Sequence, residues 1–337
     1  MSISTTDNQQ DTALSLIDVL TRTPRLSQRQ WAKLNPATKW LVMVRAVVLV
    51  MTANAALIGI VVAAAEVSLA WDRVIALLLG LTLAHATNNL VNDWTDTRTG
   101  VDDGNYFRRQ YGTHVIQDGL VTTRAFLAIT LLTGLVALFC GIYLVMQLGT
   151  SVLLLTLAGA FFVLFYTWPL KHYALGEIAV LLVWGPLITA GSAWVLMETL
   201  TLKTLLISLI AGIGPTLVIF GKHMDKYSHD KPRGVKTLPV VLGPDNSRYL
   251  MFALLAANWL LILLVILAYD MPALWLCLLA AYPLLPLAQS LRTARPETEP
   301  EDYPAGIWPL WYAAYAFRYC RDFSFYFLLA LIVSIWL

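Results

Sequence analysis

Runs of apolar residues close to the ~20 needed for a bilayer-crossing helix recur along the whole chain. They lie at about 41–65, 72–92, 123–147, 150–167, 174–197, 203–222, 248–269, 272–290 and 322–337, and 306–320 (GIWPLWYAAYAFRYC) can extend the last one. The runs are continuous rather than alternating, which predicts helices and not barrel strands. The expected fold is an all-α membrane protein of about nine transmembrane helices. Of 337 residues, 58% are apolar and 13% charged, about half the charge of an average soluble domain. That excludes a disordered chain, a charge-rich nucleic-acid binder and an ordinary soluble globule, whose surface so few charges do not cover. Cys140, Cys277 and Cys320 are too far apart for a disulfide framework or a metal-binding pair.

Residues 1–11 (MSISTTDNQQD) are polar and lack the basic start and apolar core of a signal peptide. Residues 12–38 mix apolar positions with Arg22, Arg25, Arg29 and Lys33, interrupted at Pro24. They read as a helix lying on the membrane surface or as a mobile leader. The expected division is a leader over 1–38 and a single transmembrane domain over 39–337. Every Lys and Arg except Arg73 and Lys203 falls on the side that holds the N-terminus and the even-numbered loops. The positive-inside rule makes that side cytoplasmic. The two longest polar loops, 93–122 and 223–247, share it and follow the second and sixth spans, as two related halves facing one cavity would place them.

Three stretches carry chemistry. The first is HATNNLVNDWTDTRTGVDD, residues 85–103. On a helix continued to Asp96, His85, Asn89, Asn92 and Asp96 fall within about 40° of one another. Such a stripe is costly in a membrane unless it meets a cavity, another chain or a metal. Its oxygen donors suit a hard cation such as Mg²⁺. Asp93 or Asp103 alone reads as a solvated helix cap. The second, GKHMDKYSHDKPRGVKTLPVVLG (221–243), sets Asp225 and Asp230 among Lys222, Lys226, Lys231, Arg233 and Lys236. Carboxylates mixed with cations suit a metal-bridged polyphosphate; a cytoplasmic loop would be basic in any case, but this does not account for the aspartates. The third, YTWPLKHYALGEIAVLLVWGPLI (166–188), puts Lys171 at a membrane edge, where it can simply snorkel, and Glu177 inside the fifth span.

The run Asn92, Asp93, Asp96, Gly100, Asp102, the YT-x-P-x-K and LGE stretch, and the D…D-K-x-x-G-x-x-TLPVxLG stretch together resemble the UbiA superfamily of intramembrane prenyltransferases. Within it they look like the branch that prenylates 1,4-dihydroxy-2-naphthoate in menaquinone synthesis. The resemblance implies nine transmembrane helices around a central cavity, with Mg²⁺ on Asn92, Asp96, Asp102, Asp225 and Asp230. It further implies an isoprenoid diphosphate held by Lys171, Lys226, Lys231, Arg108 and Arg109, transfer of its prenyl group to an aromatic acceptor, and residence in a bacterial or archaeal cell membrane. On this reading Asp96, Asp230, Lys171 and Glu177 are the catalytic candidates, Asn89 and His85 contact substrate, and Glu177 or His85 orients the acceptor or takes its proton. Trp168, Trp184 and Phe220 are expected to shield the cation formed on ionisation. His85 is equally readable as a packing histidine.

Two departures stand out. The family's second motif is usually DxxxD, whereas Asp225 and Asp230 are five apart, about 140° around a helix. GKHMD replaces the N-x-x-R-D lead-in of the naphthoate branch. A different acceptor, a terpene cyclase and, as a separate class, an ion-coupled transporter are the competing functions. In a transporter the acids would be expected near the midplane rather than beside basic loops at one face.

Overall fold

The computed structural model describes residues 14–99 and 107–336. Its long helices are α1 (Ala46–Ala64), α2 (Trp71–Thr99), α3 (Thr123–Leu148), α4 (Thr150–Phe165), α5 (Gly176–Met197), α6 (Leu202–Asp225), α7 (Pro244–Tyr269), α8 (Pro272–Ser290) and α9 (Tyr312–Val333). All except α4 and α9 are long and apolar enough to cross a membrane. α4 has 16 residues. α9 has 22 but carries Arg318, Arg321 and Asp322. It starts at Tyr312, within the 306–320 stretch expected to extend the last span, so Arg318 and Arg321 stand inside a helix. Among the described residues there is no strand, only an isolated bridge between Tyr173 and Lys236.

Leu131, Leu132 and Phe139 of α3 and Leu154 and Leu157 of α4 point outward. An apolar belt of this extent is stable only against lipid, where helices satisfy their own backbone. The chain is an integral membrane protein. α6 is the central helix and packs on α9, α5 and α7. Its Ile210, Leu217 and Phe220 share one buried cluster with Tyr319, Phe323 and Phe327 of α9. Gly221 permits this approach: a Cβ there would lie 2.8 Å from the Tyr312 carbonyl carbon and 2.9 Å from the Ala313 nitrogen.

The first apolar run is not one helix. A short helix, Pro36–Met43, ends just before Arg45, whose φ of 55° and ψ of 59° are left-handed, and α1 begins at Ala46. Only a residue held by its surroundings stays in that region without being glycine. The Asn89 amide of α2 donates to the Val44 carbonyl at 2.9 Å, and the Arg45 guanidinium pairs with Asp93. Upstream, Ser15 and Ser27 open two short capped helices, Leu16–Thr21 and Gln28–Lys33. Between them Pro24 accepts from the Thr113 amide at 3.1 Å and its hydroxyl at 2.8 Å, while the Leu26 amide donates to that hydroxyl at 2.9 Å.

Gly221→Ala is expected to force α6 and α9 apart and destabilise the fold by about 1–3 kcal/mol. Thermal unfolding in detergent checks this; an unchanged midpoint would contradict it.

Candidate functional site

α2 continues to Thr99, which carries the polar stripe of the first motif along one wall of a cavity of about 2400 Å³. His85, Asn89, Asn92 and Asp96 all line it. At one end stands Asp96, buried with Lys171, whose Nζ lies 3.2 Å from Asp96 Oδ1. Lys171 is carried on the turn Leu170–His172, and its amide is anchored to the Tyr166 carbonyl at 2.9 Å. The Asn92 amide donates to Asp96 Oδ2 at 3.2 Å and accepts from the Thr167 hydroxyl at 3.1 Å. From the end of α6, Lys222 and Lys226 also act on the Asp96 charge, and Lys226 pairs with Asp230 at 3.4 Å. His172 feels both Asp96 and Asp230; burial holds its imidazole below the ordinary value, and the Lys171 cation adds to this. The Tyr173–Lys236 bridge ties the two loops together. All three stretches singled out in the sequence therefore meet at one end of one cavity: Asp96 lines it with Lys171, Lys222 and Lys226, and Asp230, wholly buried and outside the lining, pairs with Lys226.

Further along the cavity, His85 Nδ1 is 2.7 Å from the Thr52 hydroxyl, and its ring meets Trp184 edge-on at 5.1 Å. Trp184 lies in a π-helical stretch of α5, Val183–Ala190, around Pro186; proline removes a backbone donor and forces the wider turn. Glu177 does not face the cavity itself. Its Oε1 is 2.6 Å from Nδ1 of His223, which does line it, and its Oε2 has no partner.

Several expected assignments are redirected. Asp225 was expected as a metal ligand, but its carboxylate accepts the backbone amides of Trp311, Tyr312 and Ala313 at 2.9, 3.0 and 3.0 Å, and Arg295 stands 3.7 Å away. A carboxylate on the first amides of a helix caps it and offsets its dipole. The five-residue spacing explains the outcome: α6 ends at Asp225, and a separate turn, Tyr227–Asp230, carries Asp230 back toward Lys226. Asn89 uses its amide on Val44. Lys231 lies outside the cavity, 3.1 Å from the Tyr227 hydroxyl. Trp168 is exposed and Phe220 is wholly buried, and neither lines the cavity. Asp102 lies outside the described residues, as do the side chains of Arg108 and Arg109.

Sequence reasoning passed over Arg45 and His223 and gave Lys222 and Tyr166 no role beyond their motifs; all four line the cavity. Arg45 carried a usable signal, a single cation within an apolar run. His223 carried none, because its role depends on Glu177 from another helix. Among the described residues, no three His, Cys, Asp or Glu side chains are grouped as a self-sufficient metal site. Asn92, Asp96 and Asp230 still fit Mg²⁺, which binds through a few carboxylates and completes its shell with water and phosphate oxygens; Asp225 does not fit. Asp225→Asn is expected to cost about 1–3 kcal/mol of stability, read by unfolding in detergent. Unchanged stability with lost metal-dependent substrate binding would return Asp225 to the metal.

The UbiA prenyltransferase family matches residues 49–310. The chain is 29% identical over 236 residues to the 1,4-dihydroxy-2-naphthoate octaprenyltransferase of Escherichia coli K12, covering 65% of this chain and 75% of that protein. It is 25% identical over 191 residues to UbiA prenyltransferase domain-containing protein 1 of Mus musculus, covering 55% and 56%. Its fold is similar to that of the apo UbiA homolog from Aeropyrum pernix K1, with a TM-score of 0.62 at 16% identity over 85% of this chain and 97% of that one. The UbiA homolog from Archaeoglobus fulgidus bound to GPP and Mg²⁺ gives 0.59 at 15% identity over 88% and 99%. With the family match spanning most of the helical bundle, the chain belongs to the UbiA prenyltransferase family and is a prenyltransferase.

Proposed function

We propose that the protein transfers a prenyl group from an isoprenoid diphosphate to an aromatic acceptor of the 1,4-dihydroxy-2-naphthoate type, with Mg²⁺, in quinone synthesis. The observation that carries this is the meeting of Asn92 and Asp96 with Lys171, Lys222 and Lys226 at one end of a cavity that is otherwise largely apolar, with Asp230 buried beside Lys226. The naphthoate octaprenyltransferase relative supports the acceptor class, and the A. fulgidus homolog bound to GPP and Mg²⁺ supports the donor and the metal.

Asn92, Asp96 and Asp230 would hold the metal, which when bound neutralises charge on the diphosphate as it leaves. Lys171, Lys222 and Lys226 grip the remaining phosphate oxygens, a preorganised set of cations aimed at charge that grows in the transition state. Lys171 meets the substrate already aligned, because Asp96 and the Tyr166 carbonyl fix its ends. The prenyl chain lies along the apolar wall, which keeps water from the allylic carbon as its bond to oxygen breaks. Trp184 and His85 form a flat edge against which an aromatic acceptor can stack. Glu177 fixes the His223 ring and so controls which nitrogen faces the cavity. The distribution of Lys and Arg supports a cavity mouth that faces the cytoplasm.

Asp96→Asn and Asp230→Asn are each expected to lower Mg²⁺-dependent pyrophosphate release about 100-fold or more. Full activity in both would contradict the assignment. Membranes given a labelled prenyl diphosphate and a panel of acceptors should form a prenylated naphthoate product by mass spectrometry. A hydrocarbon with pyrophosphate and no prenylated acceptor would make the enzyme a cyclase.

A further inference from the structure

α9 carries two arginines, Arg318 and Arg321, and neither is among the groups that gather around Asp96. Arg318 and Arg321 are exposed, lie one turn apart, and line the cavity together with Ala314 and Phe317 of the same helix. The spacing 314, 317, 318, 321 is one helical stripe. The opposite face, with Tyr319, Cys320 and Phe323, is buried against the core. The arginines therefore face the cavity because the packing of α9 turns them there.

Their depth is set by Asp225, which pins the start of α9 at the level of the second acidic motif. At 1.5 Å per residue, Arg318 and Arg321 lie about 9 and 14 Å further into the bundle than Tyr312. Asn89, seven residues before Asp96 on α2, lies about 10 Å from the diphosphate end by the same measure. Arg321 Nε is 2.7 Å from its neighbour Asp322. Arg318 rests over the Tyr282 ring at 5.0 Å, and among the described residues no carboxylate is within ion-pair distance of it. A cation at such depth is costly without an anionic partner and is a functional candidate by default.

We propose that Arg318 and Arg321 form a second anion site in the cavity, separate from the diphosphate end, that captures the carboxylate of an acidic aromatic acceptor and selects for it. This rests on the acceptor class proposed above. The diphosphate end already gathers a multiply charged donor, so an acidic acceptor in the same cavity needs its own cations at a distance. The planar guanidinium of Arg318 can take a carboxylate with two parallel hydrogen bonds, while Arg321, partly neutralised by Asp322, supplies long-range attraction.

The test uses the full-length protein in neutral phosphatidylcholine nanodiscs, with a short prenyl diphosphate and two acceptors, 1,4-dihydroxy-2-naphthoate and its carboxylate-free counterpart 1,4-dihydroxynaphthalene. Arg318→Gln and Arg321→Gln are each compared with the parent protein. The ratio of kcat/KM for the acid to that for the diol is expected to fall about tenfold in Arg318→Gln, the size of one charge-assisted hydrogen bond, with the loss in KM for the acid. Arg321→Gln should lower it less, and Arg318→Lys should restore part of it. Both acceptors are read on one preparation, so partial misfolding cancels from the ratio. An unchanged ratio, or an equal loss on both acceptors, overturns the proposal. So does an effect that appears only when anionic lipid is added, since the anion would then be a lipid headgroup. If the parent protein prenylates neither naphthalene, the acceptor class fails first, and that result is distinct from a changed ratio.

Discussion

A bilayer cannot solvate charge, and the Asp96–Lys171 pair is where this constraint organises the protein. Both side chains are nearly inaccessible, at 9% and 6% exposure, and removing either partner would leave a buried charge worth roughly 3–5 kcal/mol. The pair draws the end of α2 onto the turn before α5, and the lysines of α6 close in around it. The same rule recurs nearby. Arg45 answers Asp93 across the break before α1, and Glu177 answers His223 between α5 and α6. Lys226 answers Asp230, and Asp225 answers the open amides of α9. Apart from the local Lys226–Asp230 pair, each pairing joins two separate segments, so the polar groups that equip the site also set the arrangement of the helices around it.

That dual role gives the site its chemistry. A carboxylate already balanced by lysines is ready for a metal and a diphosphate together, because both bring charge in matching amounts and the incoming phosphates can take over the lysines. The apolar walls between α1, α2, α5, α6 and α9 suit the hydrocarbon chain of the proposed donor as the surrounding lipid would. The polar end and the apolar chamber are one continuous cavity, which is the arrangement required of a substrate that is charged at one end and greasy at the other.

Much of this was readable in the residues, and the failures are physical. The stripe His85, Asn89, Asn92, Asp96 is a property of one regular helix, so its period alone places it on the cavity wall. The break at Arg45 was not readable, because a left-handed residue there depends on Asn89 and Asp93, more than forty positions away. The residues leave the start of α9 open between 306 and 322, because Arg318, Arg321 and Asp322 dilute its apolar signal while helix packing still holds it. Asp225 looks like a metal ligand by motif, and only the location of the α9 amides shows where its carboxylate goes. Glu177 stood out alone, but its partner His223 is visible only once α5 and α6 are packed.

The central claim is that Asp96 and Lys171 hold the metal–diphosphate end of the donor. It is tested most directly by equilibrium binding of a non-ionising thiolodiphosphate analogue to the purified protein across a Mg²⁺ titration. The account predicts that Mg²⁺ tightens binding in the parent protein. In Asp96→Asn that metal dependence should largely disappear, and Lys171→Ala should bind more weakly while keeping it. Undiminished Mg²⁺-dependent binding in Asp96→Asn, or parental affinity in Lys171→Ala, would contradict it.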